Sequence, residues 1–181
     1  QGYGEISTVD GVLYRSGVTG AKDCSLDDNN CYQDSECTLS DCSGNSCTAT
    51  CTVNMQFHAE PTDTGTYGSE SWLGYVNATD DYSESGNGTS AADVVDVNSL
   101  LGLDVDSAIT YGILMAGENT GGTNQTITAT NTGNVAIDNE LYGDDLCPDY
   151  PTCASDRIDV SYQEYDLTSF TYNNGNDLDT N

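Results

Sequence analysis

The sequence has very few positive charges. Against 30 Asp and Glu residues stand only Arg15, Lys22 and Arg157, so the 181-residue chain carries a formal net charge of -27. Because phosphate binding needs clustered Lys and Arg, we expect no nucleic-acid partner, and phosphorylated cofactors and anionic lipid surfaces are disfavoured. Such acidity is typical of a strongly solvated surface that resists aggregation; divalent-cation binding or a salty medium is the alternative interpretation.

Long apolar runs are also absent. No stretch has the apolar length of a membrane span, so we predict none. The chain opens at Gln1 without the basic and apolar segments of an export signal. The simplest interpretation is a mature form from which a signal peptide has been removed.

Catalytic signatures are missing as well. The sequence contains no G-x-S-x-G, H-E-x-x-H, P-loop or G-x-G-x-x-G motif. The sole histidine, His58, is the one candidate base for a triad, and we interpret it as an ordinary residue on the polar face of a strand. A glycosidase would need two carboxylates at a set separation, which no pattern marks here. We therefore expect no enzymatic activity and assign no catalytic residue.

What the sequence does contain is cysteine. Six of the eight cysteines lie in "CSLDDNNCYQDSECTLSDCSGNSCTATC", residues 24 to 51. This cluster has no C-x-x-C, which argues against redox chemistry and leaves only a poor match to a zinc pattern. An even cysteine count in such a chain favours a disulfide framework and an extracellular location. The residues predicted to form disulfides are Cys24, Cys31, Cys37, Cys42, Cys47, Cys51, Cys147 and Cys153.

The spacing of the cysteines suggests part of their pairing. Cys147 and Cys153 lie together in "CPDYPTC", so we predict that they close their own loop, while the pairing of the other six stays open. Each bridge stabilises the fold mainly by restricting the unfolded chain. We interpret residues 22–48, approximately, as a polar excursion from a β-sandwich that covalent bonds hold in place.

Acidic residues interleaved with these cysteines are candidates for binding calcium, which prefers oxygen ligands. The candidate ligands are Asp27, Asp28, Asp34 and Glu36. The spacing departs from an EF-hand loop, because Cys31 and Thr38 occupy ligand positions. No cofactor is therefore certain, and calcium is the one that the sequence suggests.

Three N-x-T sequons suggest a glycoprotein. Their asparagines are Asn77, Asn87 and Asn124. In a secreted protein such sites carry glycans on exposed turns or strand ends. Asn87 is the best placed, because it lies in the Gly/Ser-rich stretch "DDYSESGNGTSAAD".

Two segments of the first half alternate between apolar and polar residues. "TATCTVNMQFHA", Thr48 to Ala59, predicts one long half-buried strand, and "SWLGYVNAT" predicts a second strand that carries the only tryptophan, Trp72, on its buried face. The turn signal "PTDTGTYG" between them predicts that the two form a hairpin. The stretch "DDYSESGNGTSAAD" that follows is a predicted loop or linker.

The second half also has strand signals. "QTITATNTGNVAIDNELYG" predicts a hairpin that turns at "NTGN", "RIDVSYQEYDL" predicts a strand, and "NNGNDLDTN" predicts none. Because helical spacing is almost absent, we predict an all-β protein of two immunoglobulin-like β-sandwich domains. The first covers residues 1–92 and the second residues 93–181.

Two of these segments resemble a known group of proteins. "TATNTGNVAIDNELYGDDL", Thr128 to Leu146, is similar to a strand-turn-strand of secreted bacterial and archaeal cell-surface proteins, and "HAEPTDTGTY…SWLGYVNATD" resembles the tryptophan strand beside it. The resemblance implies immunoglobulin-like domains exported to the cell surface, some of which assemble into surface layers or filaments. The cysteine cluster departs from that pattern.

We therefore expect an extracellular structural subunit of a cell-surface layer or filament, self-assembling and stabilised by disulfides. The alternative is a secreted carbohydrate-binding or adhesive module that uses Tyr and Trp side chains; a secreted hydrolase is a third hypothesis. Self-assembly has a physical route in strand donation to an open sheet edge of a neighbouring copy. The N-terminal "QGYGEISTVDGVLYRSGV" is a candidate donor, and the simpler interpretation makes it the first strand of its own domain.

Overall fold

The computed structural model describes residues 2–19, 24–90 and 95–179, and these ranges contain strands and almost no helix. The strands are β1 Ile6–Arg15, β2 Cys31–Asp34, β3 Thr38–Ser43, β4 Ser46–Thr50, β5 Trp72–Asp80, β6 Ser85–Thr89, β7 Leu103–Val105, β8 Ala129–Asn131, β9 Glu164–Tyr165 and β10 Asn176–Asp177. Three short 3₁₀ helices span Tyr3–Glu5, Gly65–Tyr67 and Val160–Tyr162. The all-β prediction is confirmed.

The largest sheet has four antiparallel strands in the order β2-β1-β5-β6. β1 lies in its interior, where Val12 pairs with Gln33 of β2 on one side and with Tyr75 of β5 on the other. Of the two interpretations of the N-terminal segment, the structure supports the simpler one: Ile6–Arg15 is a strand of its own sheet and has no free edge along its middle. The other three sheets are the two-stranded pairs β3-β4, β7-β8 and β9-β10.

Aromatic side chains form the core of the four-stranded sheet. Trp72 is only 1% exposed, packs with Ala59, and lies 5.9 Å from Tyr32 between ring centroids. The adjoining cluster consists of Val12, Tyr14, Cys24, Cys31 and Tyr75. The prediction that Trp72 lies on the buried face of a strand is confirmed, and large aromatic side chains such as these dominate core energetics.

The long strand predicted over Thr48 to Ala59 is wrong beyond Thr50. β4 ends there, and the chain continues without regular structure into a turn at Phe57 and His58. The backbone N–H of Thr52 donates to the Asp34 carboxylate at 2.6 Å instead of to a strand partner. Similarly, the N–H of Gln56 donates to the Tyr32 hydroxyl at 3.1 Å. An alternating pattern does not make a strand where side chains take the backbone donors.

The partners predicted for the tryptophan strand are also wrong. β5 pairs with β1 and β6, and not with the segment that precedes it. The predicted loop or linker after β5 contains β6, a five-residue edge strand, all of whose residues are exposed. β6 forms because a turn at Asp80 returns the chain: one carboxylate oxygen of Asp80 accepts from the backbone N–H groups of Tyr82 and Glu84, both at 2.9 Å.

The second half of the chain has shorter strands than predicted. β8 pairs with β7 and not across the "NTGN" turn, where the Asn131 side chain accepts from the N–H of Gly133 at 2.9 Å and donates to the carbonyl of Val135 at 2.8 Å. In "RIDVSYQEYDL" a 3₁₀ helix precedes the two-residue β9. The tail predicted to lack a strand supplies β10.

The described residues form two compact units. The first contains those up to Leu103 together with Asn131–Ala136, and the second contains Asp104–Thr130 and those from Ile137 onward. The boundary predicted between residues 92 and 93 lies outside the described residues, as does the predicted start of the polar excursion at Lys22. Part of that excursion is integral to the main sheet, because β2 pairs with β1.

Candidate functional site

All eight cysteines form disulfides. The pairs are Cys24–Cys31, Cys37–Cys51, Cys42–Cys47 and Cys147–Cys153. The predicted disulfide framework is confirmed, and so is the separate loop closed by Cys147 and Cys153. The zinc alternative is wrong, because a sulfur in a disulfide cannot be a thiolate ligand.

Two of the three bridges of the first unit lie against the main sheet, whereas Cys42–Cys47 joins β3 to β4. Cys24 and Cys31 are buried in its core, at 3% and 1% exposure. The Cys37–Cys51 bridge lies against β1 at Gly11, where a Cβ atom would come within 2.6 Å of the Cys51 sulfur. Only glycine fits at this position, and the bridge therefore covers the face of the sheet above Gly11.

The candidate calcium ligands mostly serve other purposes. The Asp27 carboxylate accepts from the backbone and side-chain N–H groups of Asn29, both at 2.9 Å, and these hydrogen bonds lower the pKa of Asp27 below its ordinary value of 3.8. Asp34 accepts from the N–H groups of Glu36 and Thr52. Both carboxylates thus hold turns together.

The structure does not bring the four calcium candidates into one group. Asp28 and Glu36 are exposed. Within the described ranges, the only close group of three metal-ligating residue types is Asp34 with Cys37 and Cys51. The two cysteines form a disulfide, so neither sulfur can be a thiolate ligand. Calcium binding stays a prediction, without a set of residues arranged to hold the ion.

The three sequon asparagines lie in different surroundings. The side-chain amide of Asn124 forms two hydrogen bonds with the backbone of Phe170. It donates to the Phe170 carbonyl at 2.9 Å and accepts from the Phe170 N–H at 3.1 Å. Asn77 is half-buried in β5 and donates to Asp10 at 3.2 Å. Asn87 lies opposite Asn77 on the edge strand β6 and is exposed. Glycosylation stays a prediction, and Asn87 is the sequon asparagine with the most accessible side chain in the folded chain.

Sequence reasoning missed a charged cluster around Arg15. The Arg15 Nε donates to Glu60 at 2.6 Å, and Nη1 donates to Glu70. The guanidinium lies 3.8 Å from the centre of the Tyr67 ring. Burial lowers the pKa of Arg15, but the hydrogen bond and charge of Glu60, followed by those of Glu70, outweigh it and raise the pKa overall. The small number of basic residues was the one sequence signal for this cluster, because an arginine among so many Asp and Glu residues is expected to form an ion pair.

The only histidine and the only tryptophan of the sequence lie in different surroundings. His58 lies in a turn, edge-on to Phe57 with ring centroids 5.0 Å apart. The indole of Trp72 is buried, and its N–H donates to the carbonyl of Glu60 at 3.0 Å. Trp72 therefore cannot form part of an exposed aromatic platform, and that part of the adhesive hypothesis is wrong.

The second unit has an unusual amount of exposed apolar surface. Among its described residues, Val160 is the one buried apolar side chain. Ile113 is 97% exposed, Met115 73% and Leu167 99%. Single exposed apolar residues are normal, whereas an extended exposed apolar surface is typical of a site for a partner. This surface is the candidate functional site.

Comparison with protein-family models, with curated proteins and with solved structures finds no match for this chain. Over the described ranges, no helix is both long and apolar enough to cross a membrane.

Proposed function

We propose that this protein is an extracellular structural subunit that assembles with copies of itself into a surface layer or filament. The observation that carries the proposal is the exposed apolar surface of the second unit. When a partner covers apolar side chains, the free energy falls by about 25 cal/mol for each Å² of apolar surface removed from water. A unit with so little buried apolar surface of its own is stabilised by association.

The disulfides and the charge support an extracellular setting for this role. Disulfides persist in oxidising compartments and are rare in the cytosol. A net charge of -27 disfavours non-specific aggregation of the chains, so contacts between copies have to be specific. The proposal includes immunoglobulin-like packing of the strands, for which the antiparallel sheet with its buried Trp72 is the support. It also includes a glycan at the exposed Asn87.

An adhesive module is the second candidate function. Tyr82, Tyr150 and Tyr162 are 72%, 64% and 63% exposed, and exposed aromatic rings favour carbohydrate binding. Binding of the unreduced protein on a glycan array tests this function. Binding that disappears when these tyrosines are replaced by serine would support it.

Electron microscopy and sedimentation velocity of the native, unreduced protein test the structural function. Measurements at low and at moderate salt are needed, because salt screens the repulsion between chains. Ordered filaments or sheets are the expected result. A monomer at every concentration and salt level would contradict the proposal.

A further inference from the structure

We infer that the segment Ser107–Ala116 is donated as a β-strand to the open edge of β6 in a second copy of the chain. This inference rests on the proposed self-assembly and specifies which surfaces make the contact.

The donated segment has the pattern of a strand without being one. In "SAITYGILMA", Ile109, Tyr111, Ile113 and Met115 occupy every second position, which places them on one face when the chain is extended, and Leu114 is the one large residue on the other face. All four are exposed. An apolar face with period two is stable in water only when a sheet covers it.

The backbone of most of this segment forms no hydrogen bond with any other residue that the structure describes. Over the described part of the chain, no residue donates to or accepts from the main chain of residues 107–114. Pairing with a sheet edge would supply these hydrogen bonds. Gly112 has a φ of 79° and would have to become extended, which glycine does without a steric cost.

β6 offers a suitable edge. Among the described residues it is the outermost strand of the main sheet, and it pairs there with β5 on one side only. The opposite edge strand, β2, is partly occupied, because Cys31 and Asp27 exchange backbone hydrogen bonds beside it. The edge of β6 is therefore the more open of the two.

The face of the sheet beside β6 is shaped for apolar side chains. Gly86 and Gly88 lie opposite Ala78 and Val76 of β5, on the same face of the sheet. Neither glycine has any atom within 4 Å of where a Cβ would be. Large side chains of an added strand can thus reach over the glycines to Val76, which is 36% exposed.

Charge favours a second copy of this chain as the partner. Ser107–Gly117 contains no Asp, Glu, Lys or Arg, and neither does β6. Two chains that each carry a charge of -27 repel one another most weakly where neither contributes charge, so charge repulsion opposes a contact between these two segments least. Because donor and acceptor are different surfaces, the contact is heterologous, and it extends into a filament unless it closes into a ring.

Two variants of the full-length, unreduced protein test the inference. Ile113→Asp places a charge on the donor, and Gly88→Glu places one on the acceptor; both positions are open to solvent, so the fold should persist, which circular dichroism checks. Each variant alone should sediment as a monomer. An equimolar mixture should form a one-to-one dimer, since each variant keeps one intact surface. Leu101→Asp, at a residue of the first unit that is 73% exposed and lies outside both proposed contact segments, is the matched control and should assemble like the unmodified protein.

The outcomes separate this inference from the proposed function. If the unmodified protein does not assemble, both fail. If it assembles and either Ile113→Asp or Gly88→Glu assembles equally well, the strand donation is refuted while the structural function stands. Should Ile113→Asp lose its fold, Met115→Asp replaces it at a position that is 73% exposed.

Discussion

The two units of this chain differ in how many of their apolar residues are buried. The first unit places Trp72, Tyr32 and their neighbours inside a four-stranded sheet, and it has three disulfides and a charged cluster around Arg15. The second has strands of two or three residues, one disulfide, and Val160 as the buried apolar side chain of its described part. The buried apolar residues of the first unit hold its fold together, whereas the apolar residues described in the second unit are, apart from Val160, not buried.

Replacing Trp72 by alanine should have the largest effect on stability. We expect the free energy of unfolding to fall by about 3 to 5 kcal/mol, because the change leaves a cavity in the core. Urea unfolding followed by circular dichroism measures it, since the variant has no tryptophan left for fluorescence. Leu167→Ala, at a residue 99% exposed, should change stability by less than about 0.5 kcal/mol. Equal losses in the two variants would contradict the contrast between the units.

Removing one disulfide from each unit should also give unequal losses. The double variant Cys37→Ser/Cys51→Ser should lose about 3 kcal/mol, and Cys147→Ser/Cys153→Ser about 2 kcal/mol, because a longer loop restricts the unfolded chain more. The sequence separations are 14 and 6 residues. The first bridge also packs against Gly11, so its removal should open a gap above β1. Thermal unfolding of both variants is the measurement; a larger loss from the second variant would argue against this account.

The charged cluster permits a comparison between two arginines. Arg15→Met should cost about 2 to 3 kcal/mol, because Glu60 and Glu70, whose side chains are 20% and 23% exposed, lose their positive partner. Arg157 pairs with Asp145 at 3.1 Å, but its side chain is 52% exposed. Arg157→Met should therefore cost below about 1 kcal/mol. Urea unfolding of both at neutral pH tests the difference, and similar costs would show that the Arg15 cluster adds little.

The smallest expected effect is the pH dependence of the Asp27 turn. Because its pKa is lowered in the folded chain, ionised Asp27 stabilises the fold at pH above 3.8, and this contribution is lost as the pH falls through the lowered pKa. Asp27→Asn should reduce stability at pH 6 by about a few tenths of a kcal/mol, since solvent screens the exposed carboxylate. The difference from the unmodified protein should vanish in strong acid. Asp28→Asn is the control, and an equal effect there would point to general charge repulsion instead.

Local pattern predicted elements better than it predicted their partners. The strand at Trp72 follows from alternation over nine neighbouring residues, and the structure has it. Its neighbour β1 lies almost sixty residues earlier in the chain, and no turn signal could reveal that pairing. The same alternation failed at Met55 and Phe57, which are 38% and 58% exposed and do not belong to a strand. An alternation of apolar and polar residues shows which side chains would share a face of a strand. Whether that face is buried depends on the partner strand.

The candidate assembly surface was only partly visible in the sequence. The apolar runs near Ile113 are plain in the letters, but an apolar run is equally consistent with a buried strand. Exposure distinguishes the two, and exposure is a property of the folded chain. The Arg15 cluster is similar, since its partners Glu60 and Glu70 come from distant parts of the sequence.

The sequence by itself determined that the chain is acidic, rich in strands and held by disulfides, because charge, local alternation and an even cysteine count need no knowledge of distant neighbours. Tertiary structure alone decided how the six cysteines between Cys24 and Cys51 pair, because a disulfide requires two Cα atoms about 4 to 7 Å apart. It also decided that Ile113 is exposed. The physical reason is the same in each case: burial and bonding depend on what long-range folding places beside a residue, and in this chain folding buries a cluster of apolar residues in the first unit and only Val160 among those described in the second.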